Sequence, residues 1–550
     1  MKFINHIIFF GALSCASSPL LMMAQDRNTD TTFKAQSLNF YSTYKPEITP
    51  APKPDFIPTL PKVDTSKPVL SYQVPEQTIN YSYKAEPIKP LALKQEREPL
   101  PYENYAKLGI GTQNTWLLDA GIGSLIGDNY DAAVHFNHLS QKGNSALTEN
   151  QKWSQNTLGA SANLYGAKHN FNVGLELDRR AYRQYGYSNT LYSYLDEEIR
   201  NVYSGLVLDA GMSPVGSTLW DLQYQPKARF YMWNASMGSF ENNIDLTVPV
   251  AKNFDSFFTL SLAVNAGVTS YRVKEVNDYS NNYFQLNPAV SFDLNETSIH
   301  AGIKPTFASS STYVLPDIRL SSNSWRLAKL YAGWEGYLVQ NSFRQLSLKN
   351  PFMSAQYLPK QGTENFLYGG FETNVGNNIS FGATIGYKKW KNLAMFANDY
   401  ALNPDGKAFT VLYEDVNAFV LDAKFQYQLN EQFSLQARSI WNGFSAKPLD
   451  FRALHMPGLC INSELNWQPI SKLRLGAGLV FYDRIYALKA NGQSSKINTI
   501  VDLNSSAEYE ILKRLSFFGY AHNLLNQHYQ YWNQYPSLGL SLSIGAKFKF

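Results

Sequence analysis

Apolar and polar residues alternate with a period of two along much of the chain. The pattern is regular in residues 258–269, 379–388, 473–481 and 537–550, where most apolar side chains are followed by a small or polar residue. Successive side chains of a β-strand point to opposite faces, so this spacing predicts strands with one apolar and one polar face. The chain is therefore predicted to be all-β.

The segments between these strands alternate between short and long. Ten short segments have the composition of turns: 126–129, 167–170, 213–218, 252–256, 294–297, 321–325, 375–378, 429–432, 470–472 and 512–514. Longer and more irregular segments separate them. Ten turns on one side imply eleven antiparallel hairpins, and hence about 22 strands. The pattern is least regular near residues 300–325, so the prediction covers 18 to 22 strands.

Two-faced strands joined by short links on one side and long links on the other are typical of a transmembrane β-barrel. Closing the sheet pairs every backbone group, so no strand edge is left in lipid. A soluble propeller or sandwich would need blade-like repeats or buried cores, which the pattern does not show. We predict a large antiparallel outer-membrane barrel over residues 103–550.

The last strand is predicted to close the barrel against the first. Its apolar face should contact lipid and form the C-terminal signal for barrel assembly, with the terminal aromatic residue at the periplasmic interface. The residues assigned to this signal are Leu542, Ile544, Phe548 and Phe550.

Composition agrees with a membrane barrel and excludes some functions. Only 17% of the residues are charged, 14% are aromatic, and the net charge is +4. Soluble proteins carry about 25% charged residues. No block of Lys or Arg suggests nucleic-acid binding. The many Tyr and Trp residues are expected in loops and in the aromatic girdles of a barrel.

The N-terminus has the features of an export signal. Lys2 precedes the apolar run FINHIIFFGAL, and MMAQ offers a cleavage site after Ala24. Residues 1–24 are therefore predicted to be a signal peptide. An alternative is a lipoprotein signal that ends at Cys15. After the signal, no apolar run reaches the ~20 residues that a membrane helix needs.

Residues 25–102 differ from the rest in being rich in proline. Twelve of the 26 prolines lie between Pro46 and Pro101. Proline at this density removes backbone donors and favours an extended polyproline conformation. We predict an extended periplasmic segment without a globular domain, which either enters the barrel mouth or recruits a partner.

The last 28 residues resemble the end of TonB-dependent outer-membrane receptors. In that family, an Asn-Leu-Phe-Asn element precedes an aromatic-rich loop, a Tyr-Pro pair and a closing strand that ends in Phe. The matching residues here, besides Phe550, are Asn523, Leu524, Asn526, Tyr529, Tyr535 and Pro536. Leu525 replaces the usual Phe, and the Pro-Gly-Arg that often follows the loop is absent.

The resemblance implies a receptor-like barrel, yet the front of the chain departs from the family. These receptors carry a globular plug of roughly 130–150 residues and a short box that contacts the energising partner. Residues 25–102 are too short and too rich in proline for that plug, and no such box is found. The chain therefore resembles a plugless relative of the type found in Bacteroidetes, for which energised import is in doubt.

Candidate catalytic and metal residues are few. His135, His138 and Ser140 lie close together, and a Ser with a nearby His could form a lipid-ester hydrolase pair. A strand residue and its second neighbour share a face, but no hydrogen-bonded activation or orienting carboxylate is expected there. His522 and His528 lack metal-ligand spacing, and residues 403–406 indicate a tight turn rather than a calcium loop. We predict no enzyme, no cofactor and no metal site.

Two functions stay open at this point. The first is a transport-class barrel for solute uptake or passage. The second is a structural or assembly barrel whose proline-rich arm binds periplasmic or outer-membrane proteins. Outer-membrane lipids and, during insertion, the barrel-assembly machinery are expected partners in either case.

Overall fold

The structure is a computed structural model that describes residues 104–143, 150–254, 257–274, 278–354, 357–446 and 453–550. The predicted signal peptide and the proline-rich segment lie outside the described residues.

Twenty-two strands form the barrel and are numbered here in chain order. The first eight are β1 (Tyr105–Gly111), β2 (Thr115–Ile126), β3 (Tyr130–Lys142), β4 (Lys152–Tyr165), β5 (His169–Arg183), β6 (Arg200–Pro214), β7 (Lys227–Ala235) and β8 (Ser239–Phe254). The next seven are β9 (Phe258–Val273), β10 (Tyr283–Leu294), β11 (Thr297–Ala308), β12 (Thr312–Ser322), β13 (Lys329–Val339), β14 (Gly362–Val375) and β15 (Ile379–Asn398). The last seven are β16 (Phe409–Asn430), β17 (Phe433–Ala446), β18 (Leu459–Ile470), β19 (Leu473–Asp483), β20 (Ile500–Leu512), β21 (Leu515–His522) and β22 (Ser541–Lys549).

Each strand pairs antiparallel with its neighbour in sequence, and β22 pairs with β1 to close the ring. In this closing ladder Phe548 lies opposite Ala106 and Ile544 lies opposite Ile110. Closure leaves no unpaired edge, which a sheet in lipid requires. The predicted all-β barrel is confirmed, with 22 strands at the upper end of the predicted range.

All ten predicted short turns lie at one end of the barrel, which we call the short-turn end. The first residue of β1 and the last of β22 lie at this end as well. The turns allow tight reversal because residues such as Asn295 and Gly376 adopt positive φ. The opposite, long-loop end faces outside in outer-membrane barrels of this kind.

The barrel wall has the predicted apolar outer face and polar inner face. In β9, Leu260, Leu262 and Val268 are exposed on the outside, whereas Thr269 and Tyr271 are buried on the inside. Outward and inward side chains alternate along the strand, as expected when one face of a strand contacts lipid and the other faces the lumen. This arrangement makes the chain a transmembrane barrel.

Small elements occupy the connections. In the part of the chain that the structure describes, the helices are α1 (Asp196–Ile199) and α2 (Phe343–Lys349), with a 3-10 turn at Leu219–Asp221. Four short strands form two hairpins, Tyr486–Leu488 with Ser494–Lys496 and Gln530–Trp532 with Tyr535–Pro536. Leu222–Tyr224 pairs with β8, and Tyr279–Ser280 pairs with β9. Among the described residues, neither helix is long and apolar enough to cross a membrane.

Candidate functional site

The long loops fold inward and pack together at the long-loop end. We call this packed layer the mouth cap. Its buried aromatic residues come from strands and from loops: Tyr182, Tyr203, Tyr231, Trp233, Tyr271, Phe343, Phe352, Tyr357, Phe396, Phe409, Trp532 and Tyr535. Side chains this large dominate the energetics of a core. The inward-folded loops therefore form a second hydrophobic core, separate from the apolar outer face.

The mouth cap joins opposite sides of the barrel. Phe352, in the loop between β13 and β14, stacks on Tyr535, in the loop between β21 and β22, with ring centroids 4.0 Å apart. These two loops are eight strands apart in the ring. With strands about 4.8 Å apart, their bases lie roughly 40 Å apart along the wall. The two loops must therefore reach inward from the wall to meet over the mouth.

The loop between β13 and β14 is held down by buried polar groups of the wall. Glu241 of β8 accepts the backbone N–H groups of Phe343 and Arg344, at 2.6 and 3.1 Å. Trp233 of β7 donates its indole N–H to Ser347 Oγ at 2.9 Å. Both contacts hold α2 against the inner wall, and both pair polar groups that burial would otherwise leave unsatisfied.

The hairpin at residues 530–536 inserts its aromatic side chains into the mouth cap. Trp532 contacts Phe396 and Phe409, with ring centroids 5.2 and 5.6 Å away. Asn533, at the tip, donates to Asn398 Oδ1 at 2.9 Å and accepts from Lys489 Nζ at 2.9 Å. The hairpin is thus attached to the end of β15 and to the loop that follows β19.

A cavity of about 630 Å³ lies beneath the mouth cap, along the wall formed by β2–β5 and β19–β22. Its Asp, Glu, Lys and Arg lining residues are Lys152, Glu176, Asp178, Arg180, Arg183, Lys349 and Asp502. Arg180 forms an ion pair with Asp178 at 2.6 Å. Desolvation lowers the pKa of Lys349, on the loop above, to about 8.

Asp502 has a free acceptor in this cavity. One carboxylate oxygen accepts from Tyr529 at 2.8 Å, whereas its Oδ1 is buried without a hydrogen-bond partner among the described residues. A buried acceptor without a donor is costly, so a donor from a solute would be favoured there. The volume is in the range of small-molecule sites.

Solved structures of known proteins share this barrel. The siderophore receptor PirA from Acinetobacter baumannii is 9% identical with a TM-score of 0.64, covering 82% of this chain and 80% of that chain. The FrpB iron transporter from Neisseria meningitidis is 10% identical with a TM-score of 0.64, covering 82% of each chain. The ferric-catecholate import receptor Fiu from E. coli K12 is 10% identical with a TM-score of 0.59, again covering 82% of each chain.

The chain has the fold of outer-membrane receptor barrels. At these identities the likeness shows the fold alone. No family model matches the chain, and no curated protein matches it.

The residues of the family-like last hairpin build the loop between β21 and β22. Asn523 donates to the carbonyls of Gln527 and Leu538, at 2.7 and 3.0 Å. Asn526 Oδ1 accepts from the backbone N–H of Leu540 at 2.8 Å. Both asparagines have positive φ, so they shape the turn as well as bond to it. Leu524 is exposed beside them.

The other residues of that resemblance divide between the cavity and the mouth cap. Tyr529 lines the cavity and bonds to Asp502, and Tyr535 lies in the cap. The carbonyl of Pro536 accepts from Tyr185 and from Gln151, both at 3.1 Å. Sequence reasoning expected aromatic residues in this loop, but it did not reveal that they turn inward. No periodic signal marks an inward-folded loop.

The residues of the predicted assembly signal lie on the outer face of the barrel. Leu542, Ile544 and Phe548 are exposed on β22, and Phe550 is exposed just beyond it. Ser541 and Ser543, which flank Leu542 in sequence, are buried on the inner face. The predicted orientation of this strand agrees with the structure, and its role in assembly stays a prediction.

The histidines considered as candidates have separate environments. His522 Nδ1 lies 3.2 Å from Asn504 Oδ1, and His528 Nδ1 lies 3.0 Å from the carbonyl of Ser537. His135 lines the cavity, whereas His138 and Ser140 point outward. Within the described ranges, no group of three or more His, Cys, Asp or Glu residues could hold a metal ion.

One expectation about these histidines is wrong. His138 Nε2 lies 3.2 Å from Ser140 Oγ, so the two side chains do form a hydrogen bond. An orienting group is present too, because His138 Nδ1 lies 2.7 Å from Asn156 Oδ1. Sequence reasoning missed it because the group is an amide on the next strand rather than a nearby carboxylate.

Proposed function

We propose that this chain is a transport-class outer-membrane barrel whose mouth cap must open to admit a solute to the cavity below. The observation that carries the proposal is the stacked contact of Phe352 and Tyr535 across the mouth, above a cavity with mixed charge. Barrels of this width otherwise enclose an open channel or a filled lumen. A closable mouth suits controlled passage better than a permanent pore.

The cavity chemistry supports a solute with several hydrogen-bonding groups. Asp502 offers an acceptor, Arg180 and Lys349 offer donors, and Tyr529 and Trp532 offer aromatic faces. Proteins of the same fold include a siderophore receptor and an iron transporter. We extend that chemistry to this chain only as uptake of a polar, polydentate solute.

The proposal includes a plugless barrel that partners with outer-membrane lipids and, during insertion, with the barrel-assembly machinery. It rests on the composition of residues 25–102, whose prolines disfavour a packed plug. We propose passage that does not require an energising partner. The same segment either covers the short-turn end or binds a periplasmic or outer-membrane protein.

Conductance in a planar bilayer tests the proposal. We expect the purified full-length barrel to conduct poorly, and the double variant Tyr535→Ala/Phe352→Ala to conduct more, because the contact across the mouth is lost. The matched control is Tyr387→Ala, which removes an exposed tyrosine from the lipid-facing side of β15. Its conductance should equal that of the parent.

A variant lacking residues 26–100 distinguishes a block of passage at the mouth cap from a block at the short-turn end. Combined with the double variant, it shows whether the proline-rich segment also blocks passage. Equal and negligible conductance of the parent, the double variant and the combined variant would contradict a transport role. That outcome would favour the structural or assembly barrel instead.

A further inference from the structure

The outer face of β3 and β4 carries a serine, a histidine and an asparagine linked in a row. His138 Nε2 lies 3.2 Å from Ser140 Oγ, and His138 Nδ1 lies 2.7 Å from Asn156 Oδ1. Asn156 Nδ2 in turn donates to the backbone carbonyl of Arg179 at 3.4 Å. This last bond turns the amide oxygen toward the imidazole.

These bonds select one protonation pattern. The amide oxygen can only accept, so Nδ1 of His138 carries the proton and Nε2 is left free to accept from the Ser140 hydroxyl. A nucleophile, a base and a group that orients the base are the three parts of a serine hydrolase. The register brings them together because His138 lies directly opposite Asn156 in the β3–β4 ladder.

Ser140, His138 and Asn156 lie where the apolar, lipid-facing surface of the barrel ends toward the long-loop end. Toward the short-turn end, the neighbouring side chains of the outer face are apolar: Phe136 lies opposite Leu158, and Leu158 lies opposite Leu177. On the long-loop side, Trp116 lies opposite Ser140 and is 62% exposed. Exposed Trp residues concentrate at the level of lipid headgroups.

Basic residues lie on the outer face beyond Ser140, closer to the long-loop end. Lys142 lies opposite Lys152 in the β3–β4 ladder, and Arg183 lies opposite Arg200 in the β5–β6 ladder. Arg183 is paired with Asp196 at 2.6 Å, whereas Lys142 and Arg200 are exposed. The exposed side chains of Lys142 and Arg200 suit the phosphate groups of lipids at the membrane surface. Ser140 is therefore placed between a surface for acyl chains and a surface for headgroups, where the ester bonds of a lipid lie.

We propose that Ser140, His138 and Asn156 form an acyl-ester hydrolase site for membrane lipids on the outside of the barrel. The site goes beyond the proposed transport function and does not depend on the lumen. Its substrate class is a carboxylic ester of an acyl chain, carried either by a phospholipid or by an acylated glycolipid.

The reaction uses water and balances without another reactant. Ser140 Oγ attacks the ester carbonyl carbon while its proton passes to His138 Nε2. The C–O bond to the headgroup side breaks, and that oxygen takes the proton from His138 and leaves as an alcohol. Water then attacks the acyl-serine and gives a proton to His138, which returns it to Ser140 as the fatty acid leaves.

Asn156 is a positioning residue in this scheme, because it contacts the base and not the substrate. Ser154 lies directly opposite Ser140 in the same ladder. Cβ atoms of opposite residues are about 5 Å apart, so its hydroxyl is within reach of the oxygen that becomes negative in the tetrahedral intermediate.

The lumen contains a serine–histidine contact that serves as an internal comparison. Ser291 Oγ lies 2.8 Å from His300 Nδ1, and His300 Nε2 lies 3.2 Å from Asp317 Oδ2. Lys304 also lies 3.4 Å from Asp317. This carboxylate belongs to an ion-pair network of the inner wall, which lipid does not reach.

The test uses the full-length barrel in detergent micelles and a fluorophosphonate, which reacts covalently with activated serines. We expect mass spectrometry to find the adduct on Ser140 and not on Ser291. Ser140→Ala should abolish the adduct, whereas Ser291→Ala should leave it unchanged. His138→Ala should slow labelling by about 100-fold or more, the usual contribution of a positioned base.

Turnover distinguishes the two lipid sources. The barrel is incubated with vesicles of phosphatidylethanolamine and phosphatidylglycerol, and separately with lipopolysaccharide, and free fatty acid is quantified. Release in one arm identifies the source, and release in either arm must be lost in Ser140→Ala. Asn156→Ala should lower the rate, and Asn156→Asp should restore it, which a purely structural role would not predict.

All variants are first checked for folding by heat-modifiable migration on gels. A folded parent barrel without an adduct on Ser140 would overturn the proposal. Fatty-acid release that is unchanged in Ser140→Ala would do the same, because it would assign the activity to another site.

Discussion

Nε2 of His455 accepts the backbone N–H of Asn533 at 3.2 Å, which links two loops of the mouth cap. Its Nδ1 lies 2.9 Å from the carbonyl oxygen of Phe396 and so must donate to it. The imidazole can fill both roles only when it is neutral. Burial, with a smaller contribution from the charges of Lys489 and Lys349, lowers the pKa of His455 to about 4, although the hydrogen bond to Phe396 acts in the opposite direction.

The mouth cap is predicted to loosen in acid. An unfolded or released His455 has a pKa near 6.5, so below that pH the released form binds more protons than the closed form. Stability of this contact is therefore complete above about pH 6.5 and falls as the pH drops toward 4. The full loss is about 3 kcal/mol.

Conductance recorded between pH 7 and pH 4 measures this effect. We expect channel openings to become more frequent in acid for the parent. His455→Leu, which cannot titrate, should remove that pH dependence. His528→Ala is the control, because His528 is an exposed loop histidine outside the mouth cap. An acid response that persists in His455→Leu would show that another group is responsible.

Glu241 is predicted to hold the loop between β13 and β14 in place. Its carboxylate accepts from Phe343, Arg344 and Tyr231, so Glu241→Gln leaves buried donors facing an amide that also donates. Each unsatisfied donor costs about 1–3 kcal/mol. Trypsin should then cut the folded variant within this loop, at Arg344 or Lys349, much faster than it cuts the parent.

The control for this variant is Glu372→Gln, at an exposed position of β14 near the short-turn end. It removes the same charge without touching the loop. Equal cleavage of the parent and Glu241→Gln would show that the loop is held by its aromatic contacts alone.

The sequence predicts the wall of the barrel well and its mouth poorly, for a physical reason. Alternation along β9 or β22 reflects a lipid face and a lumen face, which every residue of a strand experiences in turn. The loop that contains Phe352 has no such periodic environment. Its stacking on Tyr535 depends on ring closure, which brings together residues far apart in sequence.

The site formed by Ser140, His138 and Asn156 could likewise be predicted from the sequence only in part. His138 and Ser140 share a face by spacing alone, so their proximity could be predicted. Asn156 joins them only through the register of β3 and β4, which depends on the loop between the two strands. Buried partners such as Glu241 and Phe343 are likewise set by tertiary packing.

The outward face of β22 is predicted to be needed for membrane assembly. Leu542 is 45% exposed on the lipid side, whereas Ser543 is 6% exposed on the inner face. A charged side chain near the middle of the lipid layer costs about 2–4 kcal/mol. Leu542→Arg should therefore reduce folded barrel far more than Ser543→Arg, as measured by heat-modifiable migration. Equal losses would contradict the orientation of this strand.

Where β22 pairs with β1, we predict that the barrel tolerates substitution of Gly545 less well than substitution of Gly109. Gly545 lies opposite Gly109, and the ring of Phe518 covers both. A Cβ at Gly545 would collide with the carbonyl oxygen of Leu108, which is backbone and cannot move without opening the ladder. A Cβ at Gly109 would lie 3.0 Å from the edge of the Phe518 ring and 3.2 Å from the carbonyl oxygen of Ile544, so smaller shifts relieve it.

Gly545→Ala should therefore reduce the yield of heat-modifiable barrel much more than Gly109→Ala. Adding Phe518→Leu should rescue Gly109→Ala but not Gly545→Ala, because only the first clash is mainly with a side chain. Rescue of both variants would show that the close approach of the two backbones does not limit closure.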